Sequence, residues 1–169
     1  AINFKNLCKK NEKNFSVCVV EKGSEVGAHI LSGAILQPTA LNELIENWQS
    51  DESCPVKVKV KAESVAFLNE KTSINIPNFF LPPVMHNKGN YIISLGAFCK
   101  WLSEKAEQLG VEIYPGFAAS EPIIEQNIVK GIITNDLGIT KENQQGPNFQ
   151  AGIEIHSKYT LFAEGCRGH

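Results

Sequence analysis

The sequence predicts an α/β fold in which a parallel, helix-connected sheet is interrupted late in the chain by antiparallel strands. Three observations predict it. An apolar run, Val17–Val20, follows a helical pattern, ends on an acid, Glu21, and runs into Gly23, Gly27 and Gly33. Residues 91–115 read as strand, helix and strand with short links. From residue 119 onward short alternating strands are separated by turn residues, and an apolar run, Tyr159–Ala163, closes the series.

Residues 1–13 read as a helix with Ala1, Phe4, Leu7 and Cys8 on one face. Phe15–Val20 is continuous in apolar character, as buried parallel strands are. Helix and strand together form half of a βαβ unit. Residues 22–38 read as irregular and glycine-punctuated. Pro38 and Thr39 open a short helix over Ala40–Trp48, with Leu41, Leu44, Ile45 and Trp48 as its apolar stripe. "VKVKVKA" alternates as an exposed edge strand does, and its lysines discourage edge pairing. "ESVAFLNEKTSINIP" alternates on both sides of Asn69–Lys71 and predicts a hairpin. "NFFLPPVM" reads as a proline-stiffened extended segment.

"NYIISL" is a strand. "GAFCKWLSEKAEQLG" is the clearest helix. Phe98, Trp101, Leu102, Ala106 and Leu109 line one face, and Gly110 closes it. "VEIYPG" follows as a strand. The short links predict that the strands on either side of this helix are parallel neighbours with a right-handed crossover. Beyond residue 119 the pattern predicts a three-stranded antiparallel meander. Its breaks fall at Gln126–Asn127, at Asp136–Gly138 and in a polar loop near Lys141–Asn148. Tyr159–Ala163 is then expected to return to the buried sheet.

With 169 residues the chain can bury one real core. A net charge of −2 gives no electrostatic support to a nucleic-acid partner. No apolar run approaches the roughly 20 residues of a spanning helix, and no signal peptide is visible. The five cysteines, Cys8, Cys18, Cys54, Cys99 and Cys166, form no CxxC or CxxH pair, so reduced, mostly buried thiols are expected rather than metal ligands. Both ends read as cut. Ala1 falls inside a helical pattern with no capping residue before it, and "AEGCRGH" stops just past a strand-to-glycine turn. The expectation is an internal fragment, incomplete at both ends.

An acid at the end of the second strand of a dinucleotide-binding unit accepts hydrogen bonds from adenosine ribose hydroxyls. Glycines beyond it let backbone approach a cofactor with no Cβ in the way. Glu21 and its glycines suit that role, and a solvated strand end is the plain alternative. GxGxxG is absent; its place would be upstream of Ala1. Ala163–Glu164–Gly165 ends the last apolar run, and Gly168 follows. An acid and a glycine there would meet a flavin's pyrophosphate or ribityl chain, with a following helix N-terminus favouring phosphate; a plain turn is the alternative. The two strand ends and the antiparallel insertion together favour a two-dinucleotide type of flavoprotein.

"VEKGSEVGAHILSGAILQPTALNEL", "HNKGNYIISLGAFCKWLSEKAEQLGVEIYPGFAASE", "VKGIITNDLGI" and "FAEGCRGH" closely resemble the electron-transfer flavoprotein–ubiquinone oxidoreductase family. The likeness covers nearly the whole chain. It is strongest over 17–45 and 84–139, and weakest over 50–83 and 141–148. Geranylgeranyl-reductase-like flavoproteins share the acid-ended strand and the "AEG" turn but not the long matches. The resemblance implies an FAD/NAD(P)-binding Rossmann-like fold of the glutathione-reductase type, with the antiparallel strands as its crossover. It implies FAD and a [4Fe-4S] cluster, with electrons taken from electron-transfer flavoprotein and passed to ubiquinone. The cluster ligands would lie outside this chain. Residues 1–169 would be part of the FAD domain, with 50–83 an inserted hairpin region.

On that reading Glu21 meets the adenosine ribose. Ser32 and Gly33 pass the isoalloxazine or pyrophosphate, a structural turn being the other reading. The backbone of Ala118 and Ala119 meets adenine, and Glu164 and Gly165 are the third contact. No catalytic side chain is assigned. His29 is more simply a packed or hydrogen-bonded residue, and His86, His156 and His169 share no metal-ligand spacing. The chemistry expected is electron transfer, in which protein residues position the cofactor and tune it. The resemblance also implies a monotopic contact with an inner membrane, mitochondrial or on the cytoplasmic face of a bacterium. It assigns that contact to residues 26–48, whereas the pattern alone favours packing of the Leu41–Trp48 stripe on the core. Two other readings stand beside it. One is an NAD(P)H-dependent reductase or monooxygenase of the geranylgeranyl-reductase-like group. The other is a nucleotide-binding fragment without activity of its own.

Overall fold

The structure is a computed structural model that describes residues 1–165; Cys166, Gly168 and His169, named above, lie outside the described residues. Two compact units form. The first joins Ala1–Val17 to Val26–Glu112, and the second joins Cys18–Glu25 to the residues from Ile113 onward.

The first unit opens with α1 (Ile2–Lys10). Its buried residues are Ile2 and Cys8, not the full face that the pattern suggests. Phe4 and Leu7 stay half exposed, and Phe4 packs on Phe15 with ring centroids 5.9 Å apart. The glycine-punctuated stretch is not wholly irregular, because it contains β2 (Gly33–Leu36). This strand pairs antiparallel with β6 (Tyr91–Ser94), whose other edge takes β3 (Val58–Lys59). The lysine-rich stretch is therefore an edge strand. Val56 and Val60 turn inward, and Val58 outward.

The helix after Pro38 is shorter than its stripe. α2 (Thr39–Leu44) stops where Ile45 turns extended. Asn47 adopts a left-handed φ of 56°, and Trp48–Ser50 form a separate 3₁₀ turn. The stripe nonetheless reaches the core. Leu41 and Trp48 cluster with Cys54, Val56, Tyr91, Ile93 and Trp101, and Ile45 packs against them. Trp48 lies edge-on to Tyr91 with centroids 5.3 Å apart, and its indole N–H donates to Asn42 Oδ1 at 2.8 Å.

A hairpin rises at β4 (Val65–Leu68) and β5 (Ser73–Ile76). Asn69 Oδ1 accepts from the backbone N–H groups of Lys71 and Thr72, at 2.9 and 2.7 Å, which is the local bonding that makes asparagine a turn residue. The proline-rich segment that follows is not extended. It winds into two 3₁₀ turns, Asn78–Phe80 and Pro83–Met85. The fixed φ of proline suits a first helical position as well as an extended one, and Pro83 takes the former.

α3 (Leu95–Gln108) follows β6 directly. Ser94 Oγ accepts from the Ala97 N–H at 3.3 Å, and Gly110, at φ 77°, lies just past the end. Trp101 and Ala106 are buried, with Phe98, Leu102 and Leu109 half buried beside them. The loop before this helix is clasped to it. Lys105 Nζ lies 2.6 Å from Asp51 Oδ2, Ser53 donates twice to Asp51 Oδ1, and Trp101 Nε1 donates to Ser53 Oγ at 3.2 Å.

β1 (Val17–Glu21) pairs with β7 (Val111–Pro115), Cys18–Glu21 and Ile113–Pro115 falling in the second unit. The strands flanking α3 are therefore not neighbours. β6 already has a partner on each edge, so a short link does not make it pair with β7. Nor is β1 buried throughout, for Cys18 and Val19 are exposed. β8 (Ala119–Glu125), β9 (Ile128–Thr134) and β12 (Glu154–His156) form a three-stranded antiparallel sheet with β9 at its centre. Gln126 and Asn127, with φ of 49° and 64°, make the two-residue turn that twisted hairpins favour.

The meander is not a simple one. A second hairpin, β10 (Leu137–Ile139) with β11 (Gln145–Gln150), is inserted where the sequence suggests a polar loop. The turn itself is confined to Lys141–Gln144. The run Tyr159–Ala163 forms no strand, and Tyr159, Leu161 and Phe162 are exposed. An apolar run is buried only when an edge pairs with it and a layer covers it, and none of the described strands does so.

Candidate functional site

Glu21 is the last residue of β1 and is half buried. Its Oε1 accepts from the Gly23 N–H at 2.6 Å, so the carboxylate turns the chain back over its own strand end. Gly23 is buried, and its carbonyl accepts from the Gly116 N–H at 2.7 Å. This bond ties the turn after β1 to the turn after β7, where Gly116 has a φ of 84°. Ala118, half buried two residues on, offers its carbonyl to the Asn135 N–H at 2.9 Å. Ala119 is exposed and opens β8 opposite Thr134. Thr134 is buried yet satisfied, since its hydroxyl accepts from the Ile153 N–H at 3.0 Å.

Glu21 and Ala118–Ala119 thus belong to adjoining turns at one end of the β1–β7 pair. Chemically this is an acceptor beside exposed backbone. A carboxylate accepts about four hydrogen bonds, and the Gly23 N–H takes one of them at Oε1. The tie between Gly23 and Gly116 escapes sequence reasoning. Its only trace is that each glycine follows a strand end.

Glu164 and Gly165 are exposed and lie outside any strand, with Gly165 at φ 75°. No ion pair reaches Glu164 among the described residues. Ser32 and Gly33 belong to the first unit. Ser32 is exposed in the loop, and Gly33 opens β2 opposite Ser94. A Cβ on Gly33 would meet the Ile93 carbonyl oxygen at 2.8 Å, so close pairing with β6 already explains a glycine there. Gly27 is equally constrained. At φ 87°, its Cβ would meet the Gly96 carbonyl oxygen at 2.8 Å, seating the loop on the first turn of α3.

His29 is exposed, His86 lies near Glu63, and His156 Nε2 lies 3.0 Å from Glu154. Cys8 and Cys54 are buried free thiols, Cys99 is half buried and Cys18 is exposed. No group of three His, Cys, Asp or Glu side chains is placed to hold a metal among the described residues. No helix of the described residues is long and apolar enough to cross a membrane.

The Leu41–Trp48 stripe packs on the core, as the pattern alone favours. Leu41 and Trp48 are 3% and 2% exposed, whereas Leu31, at 99%, and Ile35, at 50%, are exposed earlier in the segment. The largest exposed apolar set lies instead on the hairpin and the turns after it. It comprises Phe67, Leu68, Ile74, Phe79, Phe80 and Val84.

No protein-family model matches the chain. Curated relatives do. The chain is 52% identical over its whole length to the electron transfer flavoprotein-ubiquinone oxidoreductase of Pseudomonas aeruginosa, covering 31% of that protein. It is 52% identical over 99% of its length to the mitochondrial enzyme of that name from Dictyostelium discoideum, and 47% identical over its whole length to the one from Rattus norvegicus; it covers 27% of each. It therefore spans less than a third of the length of these relatives. Among solved structures, a geranylgeranyl bacteriochlorophyll reductase-like protein from Thermoplasma acidophilum matches 85% of the chain with a TM-score of 0.54 at 18% identity, a likeness of fold.

Proposed function

The chain belongs to the electron transfer flavoprotein–ubiquinone oxidoreductase family, and from that premise we propose that it forms part of the FAD-binding region of such an enzyme. The whole protein would take electrons from electron-transfer flavoprotein and pass them, through FAD and a [4Fe-4S] cluster, to ubiquinone. The observation that carries this reading is identity of about one residue in two along the entire chain to proteins of that name.

The residues present fit the adenosine end of FAD. Glu21 ends a strand, holds its own turn through one carboxylate oxygen and keeps the other for a ribose hydroxyl. Gly23 and Gly116 bring two backbone turns together without side chains between them, and Ala118–Ala119 would supply the wall against adenine. Bound FAD would supply the redox chemistry. What this chain's residues do is orient the adenosine and exclude water from it. Ser32, Gly33, Glu164 and Gly165 remain proposed contacts further along the cofactor, and the cluster ligands are placed outside this chain.

Membrane association belongs to the same proposal. A one-sided contact is supported by the exposed apolar side chains of the hairpin and its following turns, together with Leu31. Aromatic and aliphatic groups displayed in this way enter the lipid interface without spanning it.

The test uses the full-length gene product. Glu21→Ala should weaken FAD retention about tenfold to a hundredfold, the equivalent of roughly 1.5–3 kcal/mol for a hydrogen bond to a charged acceptor. Flavin content after gel filtration measures it, and unchanged retention overturns the assignment. Reduced electron-transfer flavoprotein, not NAD(P)H, should bleach the flavin and support reduction of a short-chain quinone. Bleaching by NAD(P)H would favour the reductase reading instead.

A further inference from the structure

The His86 ring lies between two acceptors. Its Nδ1 is 3.3 Å from Glu63 Oε1, and its Nε2 is 3.2 Å from the Leu81 carbonyl oxygen. Neither a carboxylate nor a carbonyl has a proton to give. Both bonds therefore form only when both ring nitrogens carry hydrogen, and a neutral imidazole carries one. Glu63 is engaged on all sides. Its Oε2 accepts from the Asn87 N–H at 2.5 Å, and its main-chain carbonyl accepts from Asn78 Nδ2 at 3.2 Å. Chiefly the Asn87 N–H, opposed by desolvation and helped by His86, holds the Glu63 carboxyl below the usual carboxylate range. It stays ionised wherever histidine titrates.

These bonds join the residues just before β4 to both ends of the Asn78–Asn87 segment. We propose that His86 is a proton-operated clasp, which as the imidazolium ties the segment bearing Phe79, Phe80, Val84 and Met85 to the base of the hairpin. On deprotonation one ring nitrogen turns a lone pair toward an oxygen, and that side of the clasp opens. Of the groups packed on the ring, Glu63 is the charged one, the Leu81 carbonyl and the turn of Pro83–Met85 being neutral. Lys61 and Lys88, the nearest cations in sequence, form no ion pair among the described residues. Histidine side chains in general change charge between about pH 5 and 8. The switch does not depend on what the apolar side chains of the segment touch.

Amide hydrogen exchange on the full-length protein reads the clasp directly. The amides of Phe80, Leu81, Met85 and His86 each donate to the carbonyl three residues back, and that of Asn87 donates to Glu63 Oε2. After correction for intrinsic rates, their protection should fall about fivefold from pH 5.5 to pH 8, as expected for one net hydrogen bond. His86→Asn should show the lower protection at both values. A second measurement needs no variant: the ring ¹⁵N shifts of His86 should titrate with the same midpoint as the exchange. Protection that is flat with pH, a pH response surviving in His86→Asn, or two separate midpoints would each overturn the proposal.

Discussion

Two apolar stretches of the first unit have opposite fates. Leu41, Ile45 and Trp48 lie inside the core, whereas Phe67, Leu68, Ile74, Phe79, Phe80 and Val84 stand in the open. The difference is not hydrophobicity but what faces each stretch. β2, β6 and β3 form a sheet whose inward side chains, among them Leu36, Tyr91 and Ile93, meet the first stretch, and α3 adds Trp101. Among the described residues the hairpin is a two-stranded ribbon whose side chains stay largely exposed, and such ribbons have little stability of their own in water. These exposed side chains are the ones the proposed membrane contact would use.

The sharpest break of this contrast is Trp48→Ala. It removes a fully buried ring, its edge contact with Tyr91 and its bond to Asn42, and should cost about 3–5 kcal/mol. Denaturant unfolding followed by circular dichroism measures it. Val84→Ser, at a site 87% exposed, should stay within about 0.5 kcal/mol. Equal losses in the two variants would erase the distinction.

Charge substitutions then separate packing from contact. Phe79→Glu with Phe80→Glu should abolish sedimentation of the full-length protein with liposomes and leave its melting midpoint in place. Leu44→Glu with Ile45→Glu should lower the melting midpoint instead, because Ile45 packs against the core and Leu44 is half buried. Membrane release by the second pair with an unchanged melt would return the contact to residues 26–48.

The smallest effect concerns the clasp that holds the core loop on α3. Chiefly Lys105, and then Ser53, hold the Asp51 carboxyl far below the ordinary carboxylate range. A depressed folded-state value means stability that is present above the unfolded carboxylate's titration and lost as pH falls through the folded one. Asp51→Asn should therefore lower the urea midpoint modestly at pH 7. The gap to the unsubstituted protein should narrow steadily as the pH falls below about 4. A gap of the same size at pH 7 and pH 2 would contradict this account.

Much of the local structure is legible from the residues themselves. Asn69 and the Gln126–Asn127 pair mark their turns because their side chains and backbone tolerate what a turn requires. α3 is read from its stripe and from Gly110, both of which act within a few residues. Glu21 is legible as the acid ending a strand, though its bond to Gly23 is not. The nearness of Gly23 to Gly116 depends on two segments more than 90 residues apart in the chain.

What the sequence by itself determined is the local conformation, where neighbours along the chain decide the hydrogen bonds. It settled the hairpins at Asn69–Lys71 and Gln126–Asn127 and the main helix. Only the tertiary structure decided which strands pair and which apolar runs are covered. β6 and β7 flank one helix yet belong to different sheets, because β2 and β3 occupy both edges of β6. Tyr159–Ala163 has a strand's composition yet stays exposed, while the Leu41–Trp48 stripe finds β2, β6 and α3 waiting to cover it. The physical reason is common to all three. Apolar burial has no direction of its own, so a residue's fate rests on the surfaces that reach it from elsewhere in the chain.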